Sequence, residues 1–275
     1  MTPAYQQIEL EGSIMNVLVA GTGPTVVLGH GFLLDAEMWL PQIHALSARF
    51  RVIAPDLWGH GRSGQLPAGT RDMAGIARQH LLLLDRLRVD RCAVIGLSLG
   101  GMWGAELALI APERISALVL MDTSLAAEPL ASRDAYFAML DAVEQTGSIP
   151  PPVLATALEL FFSPAIDVKR PGFREELAMR LQSWDAARLV DSVVPLGRMT
   201  FGRREALAAL RGLKMPALVA TGADDKARPE AEGRAMAEQI GCRFSLIPDA
   251  AHIANLEAPE FVTQLLLDFL DKAIA

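Results

Sequence analysis

Cysteine is scarce in this sequence, and basic clusters, metal-binding spacings and long apolar runs are missing from it. The two cysteines, Cys92 and Cys242, stand far apart and each adjoins an apparent strand, so they read as small buried residues and not as a disulfide framework. No H-E-x-x-H or C-x-x-C spacing occurs among the histidines and cysteines, which argues against the common zinc and redox sites. No metal or cofactor is expected. A formal net charge of −7 without any Lys/Arg cluster excludes nucleic acid as a partner, because an acidic surface repels phosphate. Glu159 and several prolines interrupt the longest apolar candidate, Ile149 to Ile166, so no membrane-spanning helix is expected. Met1-Thr2-Pro3-Ala4-Tyr5-Gln6-Gln7 lacks a basic region followed by an apolar one; no signal peptide is expected, and the expected compartment is the cytoplasm. Internal repeats and low-complexity segments are absent as well.

What is present suits a globular α/β protein. The 275 residues, 51% hydrophobic and 21% charged, can bury a sizeable core and hold one large domain with an insertion. Tyr5 to Ala20 alternates polar and apolar residues on either side of Glu11-Gly12-Ser13, the pattern of an antiparallel hairpin at a sheet edge. Thr25–Leu28, Arg51–Ala54, Cys92–Ile95, Ala117–Leu120, Ala217–Ala220 and Phe244–Ile247 are short β-branched or apolar runs of the kind buried in a parallel sheet. Helical patterns over Trp39–Ser47, Asp72–Arg88, Pro229–Ile240 and Pro259–Ala273 separate them. The alternation stops between Leu125 and Leu210, where helix follows helix with breaks at Ser148–Pro152, Ser163-Pro164 and Arg170–Gly172. The predicted architecture is a mostly parallel sheet of about eight strands, flanked by helices, with residues 1–124 and 211–275 as its core and 125–210 as an all-helical lid. A ligand should bind above the carboxyl ends of the strands, beneath that lid.

Gly96-Leu97-Ser98-Leu99-Gly100 lies between an apparent strand and an apparent helix. A serine at the tip of so sharp a turn projects its hydroxyl above the sheet edge, and glycines two residues to either side remove a collision across it. As a nucleophile Ser98 needs a base, since a free hydroxyl is protonated at neutral pH. Of the five histidines, His44 and His80 fall within helices and read as surface or groove residues, while His30 and His60 are flanked by glycines and read as turn supports. His252 follows the last strand at the sheet edge that carries Ser98, which makes it the candidate base. Asp224 or Asp225, after the penultimate strand, can supply the carboxylate that orients it, in the chain order Ser, Asp, His. Asp122, after the preceding strand, is the fallback. Negative charge on a tetrahedral intermediate needs fixed donors, for which the backbone N–H groups of Leu99 and Phe32 are the candidates. Gly59-His60-Gly61-Arg62-Ser63-Gly64 satisfies G-x-G-x-x-G, but no helix opens at Gly64, so a dinucleotide loop is not expected.

These motifs together resemble the α/β-hydrolase superfamily. The likeness is carried by His30-Gly31-Phe32, Asp56 to Ser63, Gly96 to Gly101, Gly222-Ala223-Asp224-Asp225, and Ala251-His252 with Asn255 to Glu260, in that order. The resemblance implies Asp225 as the acid, since the family places it three residues after the glycine, and makes the helical stretch the variable cap. Within the superfamily the chain is similar to the group of 3-oxoadipate enol-lactonases, carboxylesterases, cofactor-free haloperoxidases and carbon–carbon bond hydrolases. A serine at position 98 argues against haloalkane dehalogenases, which carry aspartate there. The implied activity is cofactor-independent hydrolysis of a small-molecule ester or lactone through an acyl-enzyme on Ser98. Alternatives are carbon–carbon bond hydrolysis or haloperoxidase/perhydrolase chemistry with the same residues, or a small-molecule receptor that retains them. Phe32, Phe161, Phe162 and Trp184 are candidate pocket residues; packing of the cap against the core is the other reading of the last three. Oligomeric state is not legible.

Overall fold

The computed structural model describes residues 3–274; Met1, Thr2 and Ala275, at the outer ends of the expected core ranges, lie outside the described residues. Strands β1 (Ala4–Leu10) and β2 (Ser13–Ala20) form the edge hairpin, turning through Glu11 and Gly12 at φ +50° and +80°. Then follow β3 (Thr25–Gly29), α1 (Leu40–Leu46), β4 (Arg51–Pro55), α2 (Met73–Arg86), β5 (Cys92–Leu97), α3 (Leu99–Ile110) and β6 (Ile115–Met121). Helices α4 (Leu130–Thr146), α5 (Pro151–Phe161), α6 (Ile166–Lys169), α7 (Phe173–Gln182), α8 (Ala186–Arg188) and α9 (Val194–Phe201) come next. A π-turn over Leu189–Val193 joins α8 to α9. The alternation resumes with β7 (Ala217–Gly222), α10 (Glu230–Ile240), β8 (Arg243–Ile247), α11 (Ala254–Glu257) and α12 (Pro259–Ala273).

The eight strands form one sheet in the order β1-β2-β4-β3-β5-β6-β7-β8, antiparallel at β1-β2-β4 and parallel from β4 onward. β5 is central and buried on both faces, which is why its sequence is continuously apolar instead of alternating. Its successive side chains still divide between two cores. Ala93 and Ile95 join Trp39 and Ile43 of the α1 side, and Cys92 and Val94 join Met102 and Trp103 of α3. α1 packs beside α12 on the first face, and α2 beside α3 on the second. Burying each large apolar side chain contributes about 1.5–3 kcal/mol, so these two layers fix the sheet whose carboxyl edge carries the site.

His80 departs from expectation. It lies on the inner face of α2, 1% exposed, with its ring stacked 3.7 Å from that of Trp103. An imidazole whose Nδ1–H donates to the Ile76 carbonyl within the same helix (2.8 Å) can enter an apolar layer in its neutral form. Burial accordingly pushes its pKa down to about 4.

Candidate active site

Ser98 alone makes the turn from β5 into α3, at φ +53° and ψ −116°. A non-glycine residue in this region stores about 1–3 kcal/mol of backbone strain and persists only where its surroundings hold it. Here the Ser98 N–H donates to the Met121 carbonyl (2.8 Å), and its own carbonyl accepts from Thr123 Oγ1 (2.7 Å) and the Gly101 N–H (2.9 Å). A Cβ at Gly96 would come within 2.2 Å of the Gly100 backbone, and one at Gly100 within 2.2 Å of the Gly29 carbonyl oxygen. The first glycine therefore closes the turn, and the second lets α3 start directly against β3.

His252, in the loop between β8 and α11, accepts the Ser98 hydroxyl at Nε2 (3.0 Å). Its Nδ1–H donates to Asp225 Oδ2 (2.9 Å). The other Asp225 oxygen accepts the backbone N–H groups of Ala227 and Arg228, both at 2.8 Å, which fixes the carboxylate's plane. All three side chains are nearly buried, Ser98 at 8%, Asp225 at 5% and His252 at 5% exposure. Asp224 is exposed and points away from this chain of hydrogen bonds. Asp122 is fully buried at φ +46° and accepts the Gly222 N–H (2.7 Å), but its Oδ2 has no hydrogen-bond partner among the described residues. Burial, and then the adjacent Asp225 charge, raise its pKa well above the usual carboxylate range.

Across from Ser98 runs the loop after β3. A Cβ at Gly31 would lie 3.7 Å from Ser98 Cβ, so the backbone there reaches the hydroxyl closely. Two histidines hold this loop reciprocally. His30 Nε2 accepts the Leu57 N–H from the loop after β4 (2.8 Å), and His60 in that second loop accepts the Leu33 N–H (3.1 Å). Their Nδ1–H groups donate to the Gly31 and Trp58 carbonyls, which sets both tautomers. Burial pushes these imidazoles down to about 4 and about 3, keeping both neutral. With the Leu33 N–H taken by His60 and that of Leu34 by the Gly31 carbonyl, the Phe32 N–H makes no hydrogen bond to another described residue. The Leu99 N–H belongs to the first turn of α3, which has no acceptors four residues back within its own helix.

The glycine-rich loop over Gly59–Gly64 folds around a carboxylate, not a phosphate. Asp56 accepts from Asn16 Nδ2 and from the Ala36 and Arg62 N–H groups at 2.8–2.9 Å, and a Cβ at Gly61 would strike that carboxylate.

Near His252 a cavity of about 90 Å³ penetrates the helical segment, lined by residues from the loop after β3, α4, α5, the π-turn and α9. Phe32 and Phe161 line it, the Phe161 ring lying nearly parallel to that of His252 at 6.1 Å. Phe162 and Trp184, the other two candidate pocket residues, do not line it. Phe162 is turned inward between Phe161 and Phe173, and Trp184 packs edge-on to His60 in a separate polar depression with Arg62 and Arg188.

Other side chains at the site were invisible to pattern reading. Arg228 joins the Asp225 loop to the buried Glu128 (2.5 Å), which also binds Arg203 (2.8 Å). Burial pushes Glu128 up, but the hydrogen bonds and charges of the two guanidiniums outweigh it and hold its pKa below the ordinary value. On the far side of His252, the Ile253 N–H donates to the Phe161 carbonyl (3.2 Å). Glu257 accepts both the N–H (2.9 Å) and the hydroxyl (2.5 Å) of Ser163. No spacing announces these pairs; the only signal was the nearness of Arg228 and Glu257 to Asp225 and His252 in sequence.

Among the described residues no helix is long and apolar enough to cross a membrane, and no cluster of His, Cys, Asp or Glu is arranged to hold a metal. The chain is 25% identical to 3-oxoadipate enol-lactonase 1 of Acinetobacter baylyi over 94% of each protein. It is 31% identical to the dihydrolipoyllysine-residue acetyltransferase component of the acetoin cleaving system of Pseudomonas putida, over 98% of this chain and 70% of that one. A thermophilic esterase from Thermogutta terrifontis, solved with malate bound, superposes with a TM-score of 0.87 at 27% identity over the whole of both chains. The model of the alpha/beta hydrolase fold matches residues 24–259. With that match spanning strands β3 to β8, the Ser98 turn and the His252 loop, the chain belongs to the alpha/beta hydrolase fold family.

Proposed function

We propose that this hydrolase cleaves carboxylic esters or lactones through an acyl-enzyme on Ser98, with His252 as general base and acid and Asp225 as the carboxylate that orients it. The observation that carries the reading is the continuous hydrogen-bond chain Ser98 Oγ–His252 Nε2 (3.0 Å) and His252 Nδ1–Asp225 Oδ2 (2.9 Å), built on a strained turn. As Ser98 Oγ bonds to the carbonyl carbon, its proton passes to His252 Nε2, and the Phe32 and Leu99 N–H groups receive the oxyanion. The C–O bond to the alcohol breaks and His252 returns the proton to the leaving oxygen. Water then repeats the sequence, releasing the acid and restoring Ser98. Residues 125–210 act as a cap over a core made by 1–124 and 211–275. The relatives' activities as enol-lactonase and esterase support the substrate class.

Fluorophosphonate should label the wild-type protein, and Ser98→Ala should abolish both labelling and turnover of p-nitrophenyl acetate while its circular dichroism stays unchanged. Asp225→Asn should lower kcat by about a thousandfold or more, because the imidazole loses its tautomer, whereas Asp224→Asn should stay within a few-fold of wild type. Activity retained in Ser98→Ala would overturn the reading. A burst of one equivalent of product without steady turnover would favour the receptor alternative.

A further inference from the structure

The cavity lined by Phe32 and Phe161 has an almost wholly apolar wall. Leu140, Val143, Val153, Phe161, Val193 and Phe201 are representative of it, and Tyr136 supplies the one polar side chain among the described lining residues. Burial raises the Tyr136 pKa above its ordinary value, so that phenol is neutral at physiological pH. Two buried guanidiniums lie on the Tyr136 side, those of Arg203 and Arg228, and both are committed to Glu128 at 2.8 and 2.5 Å. No lysine or arginine lines the cavity, so a carboxylate carried into it would lose its hydration without gaining a counter-charge.

We propose that the substrate carries an uncharged, apolar arm that fills this cavity, and that esters whose arm ends in a carboxylate are turned away. The proposal rests on the serine-hydrolase reading above and adds the substrate class to it. Each methylene moved from water into the cavity contributes about 0.8 kcal/mol, which is about a fourfold gain in kcat/KM per methylene until the space is filled. The test uses the wild-type protein and p-nitrophenyl esters of acetate, butyrate, hexanoate and octanoate, with the p-nitrophenyl monoester of adipate as the charged match to hexanoate. A parallel series of ethyl to hexyl acetates tells whether the arm is the acyl or the alcohol part. The expected result is a rise of at least tenfold from the two-carbon to the six-carbon arm in one series, with the adipate monoester about a hundredfold or more below hexanoate. A flat or falling profile in both series, or an adipate monoester equal to hexanoate, would overturn the proposal while fluorophosphonate labelling and acetate turnover left the hydrolase reading intact. Ala157→Trp, which puts an indole into the cavity wall, should lower the hexanoate-to-acetate ratio; an unchanged ratio counts against the cavity as the arm's seat.

A second observation stands apart from the cavity. Asp122 and Asp225 are two carboxyls buried side by side, and Asp122 Oδ2 has no donor while Asp225 is already committed to His252. A single proton resolves both the unpartnered oxygen and the clash of like charges. We infer that Asp122 is a positioning residue that carries a proton on Oδ2 and donates it in a hydrogen bond to the Asp225 carboxylate. Besides Asp225, the charged group facing Asp122 is Glu257, which Ser163 occupies. A donor on Asp225 competes with the His252 Nδ1–H for that carboxylate and so weakens the hydrogen bond between them. Asp122→Ala should therefore lower kcat and move the acid limb of the kcat/KM profile to higher pH by about half a unit or more. Asp122→Asn, whose amide can still donate, should restore the limb to its wild-type position. An acid limb that moves in neither variant, or in both alike, would overturn the inference.

Discussion

Folding removes Asp122 from water, and the cost of that removal depends on pH. An unfolded chain ionises this carboxyl near the ordinary value of 3.8, whereas burial and the Asp225 charge hold it protonated well above that in the folded protein. The contribution is thus fully favourable below 3.8 and is lost progressively as pH rises toward the raised folded value. Asp122→Asn has no proton to lose and keeps an oxygen for the Gly222 N–H. The variant should unfold at a higher urea midpoint than wild type at pH 7, with the gap closing toward pH 4. Equal midpoints at pH 7 would mean that the wild-type carboxyl is already ionised in the fold. Ser98, His252 and the 224–225 pair of the proposed site stand at strand ends that the apolar pattern marks, because parallel strands all end at one sheet edge. The distinct state of Asp122 could not be read that way, since it arises from burial and from a neighbour about a hundred residues away in sequence, in the loop after the next strand.

At the scale of elements, the two loops after β3 and β4 behave as one unit because each lends a histidine to the other's backbone. His60→Ala leaves the Leu33 N–H without its acceptor and loosens the loop that carries Phe32, whose N–H is the proposed oxyanion donor. The expected result is a fall in kcat of about tenfold to a hundredfold with a smaller change in KM, measured on p-nitrophenyl butyrate. A change in KM alone would place His60 in substrate binding only. The strands and long helices were readable because the apolar period is strong in each; the structure adds that Asp72 caps α2, its carboxylate accepting the Gly75 N–H (2.7 Å). Reciprocity between His30 and His60 was not readable, since a glycine-flanked histidine has the same sequence context whatever it bonds. His80 misled for a related reason: helical periodicity assigns a polar ring to the outside, and only Trp103 across the layer makes the inside habitable. The Glu128–Arg203–Arg228 cluster joins residues 75 and 100 positions apart, beyond the reach of any local pattern.

For the whole molecule, three buried neutral histidines set the acid limit of stability. His30, His60 and His80 are depressed by burial to about 4, 3 and 4, so their contribution is complete above the unfolded value of 6.5 and is lost as pH falls through the window between 6.5 and those values. By pH 5 each costs about 2 kcal/mol, a loss that Asp122, titrating with the opposite sign, offsets only in part. Urea midpoints should fall between pH 7 and pH 5, and a triple substitution of these histidines by Gln, where it folds, should flatten that decline. The core of the fold was legible because a parallel sheet needs continuous apolar strands; the cavity shape was not, because it depends on how α4, α5 and the π-turn before α9 meet. The two stitches beside His252 have a consequence for how the inserted helices can be exchanged. Phe161 and Ser163, at the end of α5, are bonded to Ile253 and Glu257, one and five residues after His252, so the inserted helices and the sheet domain share a seam next to that histidine. A foreign set of helices grafted in place of α4 to α9 would have to bring in or preserve residues 161–163, and a recombination point placed between Phe161 and Ser163 would unseat the histidine along with those helices.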